Sequence, residues 1–278
     1  MEFGCPPSTV QPSNRCIDQR PRLGRVTDPW TNEAAIEQWN STASRAAMEA
    51  TATDGDFAKR HLVNPVVFRM LGDVRDSRVL DAGCGPGYLS RLLASAGARV
   101  VGVEPTDAMC AFAREKESQL AQGIDYIQAD LARLPEQDGP LAAGSFDAVV
   151  CSMVLMAIPD WKPALRACVH LLKPGGLAVF AIVHPAFEQL RKSWCEHEDF
   201  RTRRYLKEYE ITGPAATDFH RPVSAYLNEL SKLGCRLREF AEPGLDPAVA
   251  AGEGKHIQGV EAYVRFPNFL IMAAEAPA

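Results

Sequence analysis

Between residues 77 and 183 the apolar positions fall in short unbroken runs rather than in long periodic stretches. SRVLD (77–81), ARVVGVE (98–104), IDYIQ (124–128), FDAVVCS (146–152) and LAVFAIV (177–183) are each five or seven residues long and bounded by polar or glycine-bearing segments. Runs of that length read as strands, and continuous apolarity marks strands covered on both faces. The intervening segments carry helical spacing. Tyr88–Ser95 places Leu89, Leu92 and Leu93 on one face, and residues 107–121 form a second helix with Thr106 or Asp107 as its N-cap. Trp161–Leu172 forms a third helix, stopped by the turn signal Lys173-Pro174-Gly175-Gly176. Strand and helix alternate at the spacing of βαβ units. That pattern predicts an α/β fold with a doubly wound, Rossmann-like parallel sheet over residues 75–185.

The flanks differ. Residues 1–28 are rich in Pro, Ser, Gln and Arg and read as a flexible arm, long enough to reach a neighbouring subunit, so a homo-oligomer stays open. Residues 29–74 read as a helical cover, with Trp30, Ala34, Ala35, Trp39, Ala43 and Ala46 recurring, then a helix around Val66–Leu71. After His184-Pro185 the alternation breaks, and residues 186–232 read as an inserted lid. Residues 233–278 bring two strands, Arg236–Ala241 and Asn268–Ala274, to complete the core.

Charge and composition narrow the function classes. A net charge of −5, with no clustered basic patch, argues against nucleic acid as partner. No apolar run approaches the roughly 20 residues of a membrane helix, and the N-terminus lacks the basic-then-apolar pattern of a secretory signal. Eight scattered cysteines without a C-x-x-C pair speak against a zinc site and for reduced thiols in a cytoplasmic protein, and no metal is expected.

The candidate chemistry sits where strands end. In a doubly wound sheet, ligands bind beyond the carboxyl ends of the strands. The loop Asp81-Ala82-Gly83-Cys84-Gly85-Pro86-Gly87 follows the first strand, Glu104 ends the second and Asp130 follows the third. An acidic side chain about twenty residues after the loop can accept bonds from ribose hydroxyls. A dinucleotide enzyme would carry G-x-G-x-x-G/A. Here the spacing is G-x-G-x-G, and Tyr88 stands where the third small residue would fall.

VLDAGCGPGYLS, VVGVEP, IQADLARLP, FDAVVCSMVLMAI and LKPGG together resemble the successive motifs of class I S-adenosylmethionine-dependent methyltransferases. The resemblance covers about residues 75–184. It implies a seven-stranded sheet, mostly parallel with an antiparallel last strand, and S-adenosyl-L-methionine as cofactor. It also implies cofactor-binding roles for Asp81, Gly83, Cys84, Gly85 and Gly87 at the methionine part, and for Glu104 with Pro105 at the ribose. Met109, Asp130 and Leu131 would lie by the adenine, and Cys151, Ser152 and Met153 by the sulfonium. The acceptor expected is a small organic molecule in specialised metabolism, methylated at O, N or C.

Methyl transfer needs alignment, exclusion of water and, for an acidic nucleophile, a base. His184, just beyond the fifth strand, is the first catalytic candidate, against the more common reading of a histidine capping a strand end or bonded to backbone; His220 is the second, with Arg221 beside it as a substrate-binding candidate, against a hydrogen-bonded pair that fixes the lid. Tyr205 and Tyr209 would share one face if that stretch is helical and could line a substrate pocket or pack the lid. Trp39 is a substrate-wall candidate because N-terminal helices of this family cover the active site. Arg201, Arg203 and Arg204 could bind a substrate anion. The six acidic residues among six Lys/Arg between Glu188 and Glu210 make a solvated charged face the stronger reading. The rival readings are a cofactor-binding cyclase or rearrangement enzyme that transfers no methyl, a macromolecular methyltransferase and a non-enzymatic binding subunit.

Overall fold

The structure is a computed structural model and describes residues 30–134, 141–202, 204–213 and 216–278; the expected arm, Arg203 and two cysteines lie outside them. The helical cover comprises α1 (Asn32–Thr42), α2 (Arg45–Ala50) and α3 (Asn64–Leu71). Thr31 caps α1 by accepting from the Ala34 N–H at 3.2 Å. Only Ala35 of α1 is buried, so its anchorage is polar. Asn32 exchanges two bonds with the Asp160 backbone at 2.9 and 3.3 Å, Gln38 accepts from the Thr217 N–H at 2.9 Å, and Asn40 accepts from the Ala108 N–H at 3.1 Å.

The alternating core follows, with β1 (Arg78–Ala82), α4 (Tyr88–Ser95), β2 (Arg99–Val103), α5 (Asp107–Leu120) and β3 (Asp125–Ile127). It continues through β4 (Phe146–Ser152), α6 (Trp161–Leu171) and β5 (Leu172–Val183). The turn expected at Lys173–Gly176 is absorbed as an irregularity within β5. Phe146 pairs with Leu172 but Ala148 already pairs with Leu177, so four residues bulge from the ladder, with Gly175 at φ +73°.

The lid departs from expectation. It contains α7 (Leu190–His197), a hairpin of β6 (Tyr209–Thr212) and β7 (Thr217–His220), and α8 (Val223–Lys232). Tyr205 and Tyr209 therefore do not share a helical face; Tyr209 opens β6 and Tyr205 lies in the turn before it. The two-residue alternation of YEIT and TDFH about a Gly-Pro step specifies strands there. The chain then forms β8 (Arg236–Ala241), α9 (Pro247–Ala251), α10 (Ala262–Arg265) and β9 (Phe269–Glu275).

Seven strands make one sheet in the order β3-β2-β1-β4-β5-β9-β8. The pairs from β3 to β5 are parallel, and β9, last in sequence, runs antiparallel to both β5 and β8. Successive side chains on a strand face opposite ways, and both faces are covered. Val79, Val100, Val150, Val179 and Ile271 pack under Leu62, Leu89, Leu93 and Tyr263. Leu80, Val101, Val149, Phe180 and Leu270 pack against Trp161, Leu165 and Tyr226. With the central strands covered on both faces and only the edge strand β8 largely exposed, what remains for a ligand is the carboxyl edge of the sheet.

Candidate functional site

Polar interactions fasten the glycine loop to the neighbouring strand. The Gly83 and Cys84 N–H groups both donate to the Val103 carbonyl, at 2.8 and 2.9 Å, closing the loop over the end of β2. A Cβ on Gly83, which sits at φ +76°, would lie 2.4 Å from Val154 Cγ2; one on Gly87, at φ +79°, would lie 2.5 Å from the Tyr126 hydroxyl oxygen. Both positions are closed to side chains by backbone conformation and by space. A Cβ on Gly85 would meet only Met109 Sδ, at 3.8 Å, so this part of the loop borders open room.

Glu104 is almost wholly buried at the end of β2. Its Oε1 accepts from the Thr106 N–H and hydroxyl at 3.0 and 2.8 Å, and its Oε2 from the Gly85 N–H at 2.9 Å. Burial raises its pKa, and these bonds work against the rise. A carboxylate offers about four acceptor positions, so room for a ligand hydroxyl remains on Oε2. Asp81 is buried under the loop and accepts from the Ser90 hydroxyl at 2.6 Å; burial pushes its pKa up to about 6. Asp130 caps the short turn Leu131–Arg133 by accepting from the Ala132 N–H at 2.9 Å.

One cavity of about 700 Å³ joins these groups. Its wall includes Asp81, Gly83, Cys84, Gly85, Glu104, Pro105, Met109, Asp130, Leu131, Ser152 and Met153. Gly87 and Cys151 are not on it: Gly87 begins α4 behind the loop, and the buried Cys151 thiol bonds to Cys168. The buried Ser152 hydroxyl oxygen has no hydrogen-bond partner among the described residues, and Met153 holds a left-handed backbone, φ 63°, at the cavity rim. The Cys84 thiol lies on the wall, but burial raises its pKa well above the ordinary value, which leaves it an unreactive thiol. Trp39 also lines the cavity, with Ile36, Phe57, Met156, Tyr263 and Phe269.

The proposed histidines and lid residues stand elsewhere. His184 is buried, and its Nδ1 accepts from the Ala186 N–H at 3.0 Å while Nε2 donates to Glu242 at 2.6 Å. Both ring nitrogens are committed away from the cavity. His220 donates from Nε2 to the Tyr205 carbonyl at 2.8 Å, bonds through Nδ1 to Glu188 at 2.7 Å, and stacks on Tyr209. The Tyr209 hydroxyl donates to the same Glu188, and the Tyr205 hydroxyl accepts from the Val223 N–H. Arg221 is buried and donates to the carbonyls of Leu155, Ile158 and Pro159 at 3.1, 2.7 and 2.8 Å. It thereby holds the segment after β4, whose Met156–Pro159 stretch is cavity wall. None of these five lines the cavity; they shape the elements that do.

Sequence reasoning missed Asp218. It lies on β7, which packs against the turn Leu155–Ala157, and it lines the cavity. Its carboxylate accepts no hydrogen bond among the described residues, and burial, with Glu188 adding repulsion, raises its pKa to about 6. The signal was faint: a charged residue in a four-residue strand between buried Thr217 and Phe219. Tyr263, Asn268 and Phe269 were missed as well, because α10 and the entry to β9 come back to the cavity only in three dimensions.

The sheet order and the cradle at its carboxyl edge define a doubly wound α/β protein built to hold a nucleoside cofactor beside a second ligand. Residues 80–180 match a family described as a methyltransferase domain. The chain is 34% identical over 166 residues to a ubiquinone biosynthesis O-methyltransferase of Alkalilimnicola ehrlichii, covering 57% of this chain and 66% of that one. It spans less than two thirds of the length of such relatives, 66%, 59% and 54% in three of them. Among solved structures, an S-adenosylmethionine-dependent methyltransferase from Mesorhizobium loti superposes with a TM-score of 0.64 at 27% identity, over 76% of this chain and 96% of that one. The [4+2]-cyclase SpnF shares the fold at a TM-score of 0.54 and 17% identity, over 77% of this chain and 80% of that one. Residues 80–180 thus carry a methyltransferase domain, on a fold shared with S-adenosylmethionine-dependent methyltransferases.

Proposed function

We propose that this protein transfers a methyl group from S-adenosylmethionine to a small organic acceptor. The observation that carries the reading is the single cavity of about 700 Å³ whose wall runs without a break from Gly85 and Glu104 to Trp39, Phe57, Tyr263 and Phe269. That volume lies well within the range of roughly 300–1,000 Å³ for small-molecule sites. The residues fit the cofactor. Gly85 leaves room at the loop, Glu104 keeps an acceptor position for a ribose hydroxyl, and Met109 and Leu131 offer apolar surface to a base. Asp81, a buried carboxyl on the wall whose hydrogen bond comes from the neutral Ser90, suits the ammonium of the methionine part.

When bound, the cofactor supplies an electrophilic methyl group on a sulfonium. The protein's own contribution is alignment and dryness. Met153 and Ser152 fix the end of β4, Arg221 fixes the segment beyond it, and α1 closes the cavity from above. The aromatic walls favour a flat, largely apolar acceptor. The O-methyltransferase relatives support oxygen as the receiving atom.

Calorimetry with S-adenosylmethionine and its demethylated product, followed by turnover with methyl-labelled cofactor and an acceptor panel, tests the proposal. Binding of both and label in the product are expected. A converted but unlabelled product would replace methyl transfer with the cyclase reading, which the shared fold of SpnF keeps worth the control.

A further inference from the structure

Resting on the methyl-transfer reading, we propose that Asp218 is the general base of the reaction and that the acceptor presents it with an acidic hydroxyl, phenolic or enolic. The acceptor O–H gives its proton to the Asp218 carboxylate as the oxygen bonds to the methyl carbon. The C–S bond breaks with its electron pair passing to sulfur, leaving a neutral thioether and a protonated Asp218.

Three observations converge on this residue. First, Asp218 is on the cavity wall, carried by β7 beside the segment Met156–Pro159 that follows β4. Second, its carboxylate has neither a hydrogen-bond donor nor a cation among the described residues. A half-buried carboxylate on a cavity wall, without a protein donor, is open to a ligand donor. Third, both histidine candidates are engaged elsewhere and lie off the cavity wall. His184 is bonded at both nitrogens, and His220 is locked between Glu188 and the Tyr205 carbonyl.

The charged and titratable groups around it favour a proton acceptor. Glu188, reached from the segment after β5, repels the Asp218 charge, but its own charge is engaged by His220 and Tyr209. Tyr226 of α8 feels Asp218 and lies against Arg221, whose guanidinium is turned to backbone carbonyls. From α1 comes only the neutral Gln38, bonded to the preceding residue's N–H. Burial raises the carboxyl to about 6, so it is ionised at neutral pH and more basic than a surface aspartate.

The aromatic walls of Trp39, Phe57, Tyr263 and Phe269 suit a flat phenolic or enolic acceptor, and the basicity of Asp218 agrees with it. A phenol with a pKa near 10, as in tyrosine, lies about 4 units above Asp218. The gap is bridgeable when proton transfer accompanies displacement. An alkyl alcohol lies far beyond reach, and an alkylamine would be held as an ammonium without a lone pair.

The test uses the whole protein with methyl-labelled cofactor and panels of phenols and amines. Asp218→Asn should reduce kcat on a phenol by roughly 10²–10⁴-fold. It should leave cofactor affinity by calorimetry unchanged and abolish the fall in wild-type rate below about pH 6. Asp218→Glu should recover part of the rate. Independently of turnover, carbon NMR of the labelled Asp218 carboxyl should show titration near pH 6. Wild-type protein that methylates a phenol with Asp218→Asn equally fast overturns the assignment alone. Methylation of amines only overturns the substrate class. Cofactor binding without labelled product from any acceptor overturns the methyl-transfer reading itself, and this inference with it.

Discussion

At the residue scale, the site separates groups that hold the loop from groups that await a ligand. Glu104 does both, and this sharpens a mutational expectation. Glu104→Gln puts an amide N–H₂ where at least one of its three donors now points. The loop bond and the ribose site should weaken together, lowering cofactor affinity by roughly 10- to 100-fold, the equivalent of about 1–3 kcal/mol; calorimetry reads it directly. His184→Gln should leave kcat within about twofold while reducing stability, since its partners are Glu242 and the Ala186 N–H rather than a ligand. A collapse of kcat with intact cofactor binding would return the histidine to the chemistry. Asp218 carries a stability consequence of the opposite sign to its role. A carboxyl whose pKa rises from 3.8 to about 6 on folding contributes stability below the lower value and loses it as pH climbs through the higher. Asp218→Asn should therefore raise Tm relative to wild type at pH 8 and lose that advantage by about pH 4.

At the scale of elements, the strands and helices of the core were legible because each writes its own period in the chain. Phe146–Ser152 and Tyr88–Ser95 have the same ends in sequence and structure. The cofactor side of the site was legible for the same reason, since Asp81, Glu104 and Asp130 follow strand ends. The acceptor side was not. It is assembled from α1, β7, the segment after β4 and the loop before β9, and no local pattern states which of these meet. Histidine and arginine drew attention as chemically capable types, yet the fold uses His220 and Arg221 as internal braces. Arg221 makes the point testable. Arg221→Met orphans three carbonyls and removes a planar fork that lysine cannot imitate. A loss of roughly 1–3 kcal/mol is expected in denaturant unfolding, with Arg221→Lys recovering little of it.

At the scale of the whole molecule, the seven-stranded sheet is a fixed platform and the acceptor pocket is a set of attachments to its carboxyl edge. Both sheet faces are filled by apolar layers, whereas α1 buries a single alanine. Resistance to unfolding should follow the same division. Native-state hydrogen exchange should show β1, β4 and β5 exchanging near the global limit and α1 opening well below it. Protection of α1 equal to that of β4 would contradict this hierarchy. Among the described residues no helix is long and apolar enough to cross a membrane.

The manner in which α1 is fastened has a further consequence. Asn32, Gln38 and Asn40 reach three separate parts of the rim through neutral amides, and the helix's ion pair from Glu33 to Arg133 is exposed. Exposed ion pairs are worth little and fade with salt, but amide bonds to backbone do not. Opening of α1 should therefore change little with ionic strength. Hydrogen exchange of its amides would proceed at nearly the same rate in dilute buffer and in concentrated salt, with the helix held by three uncharged side chains.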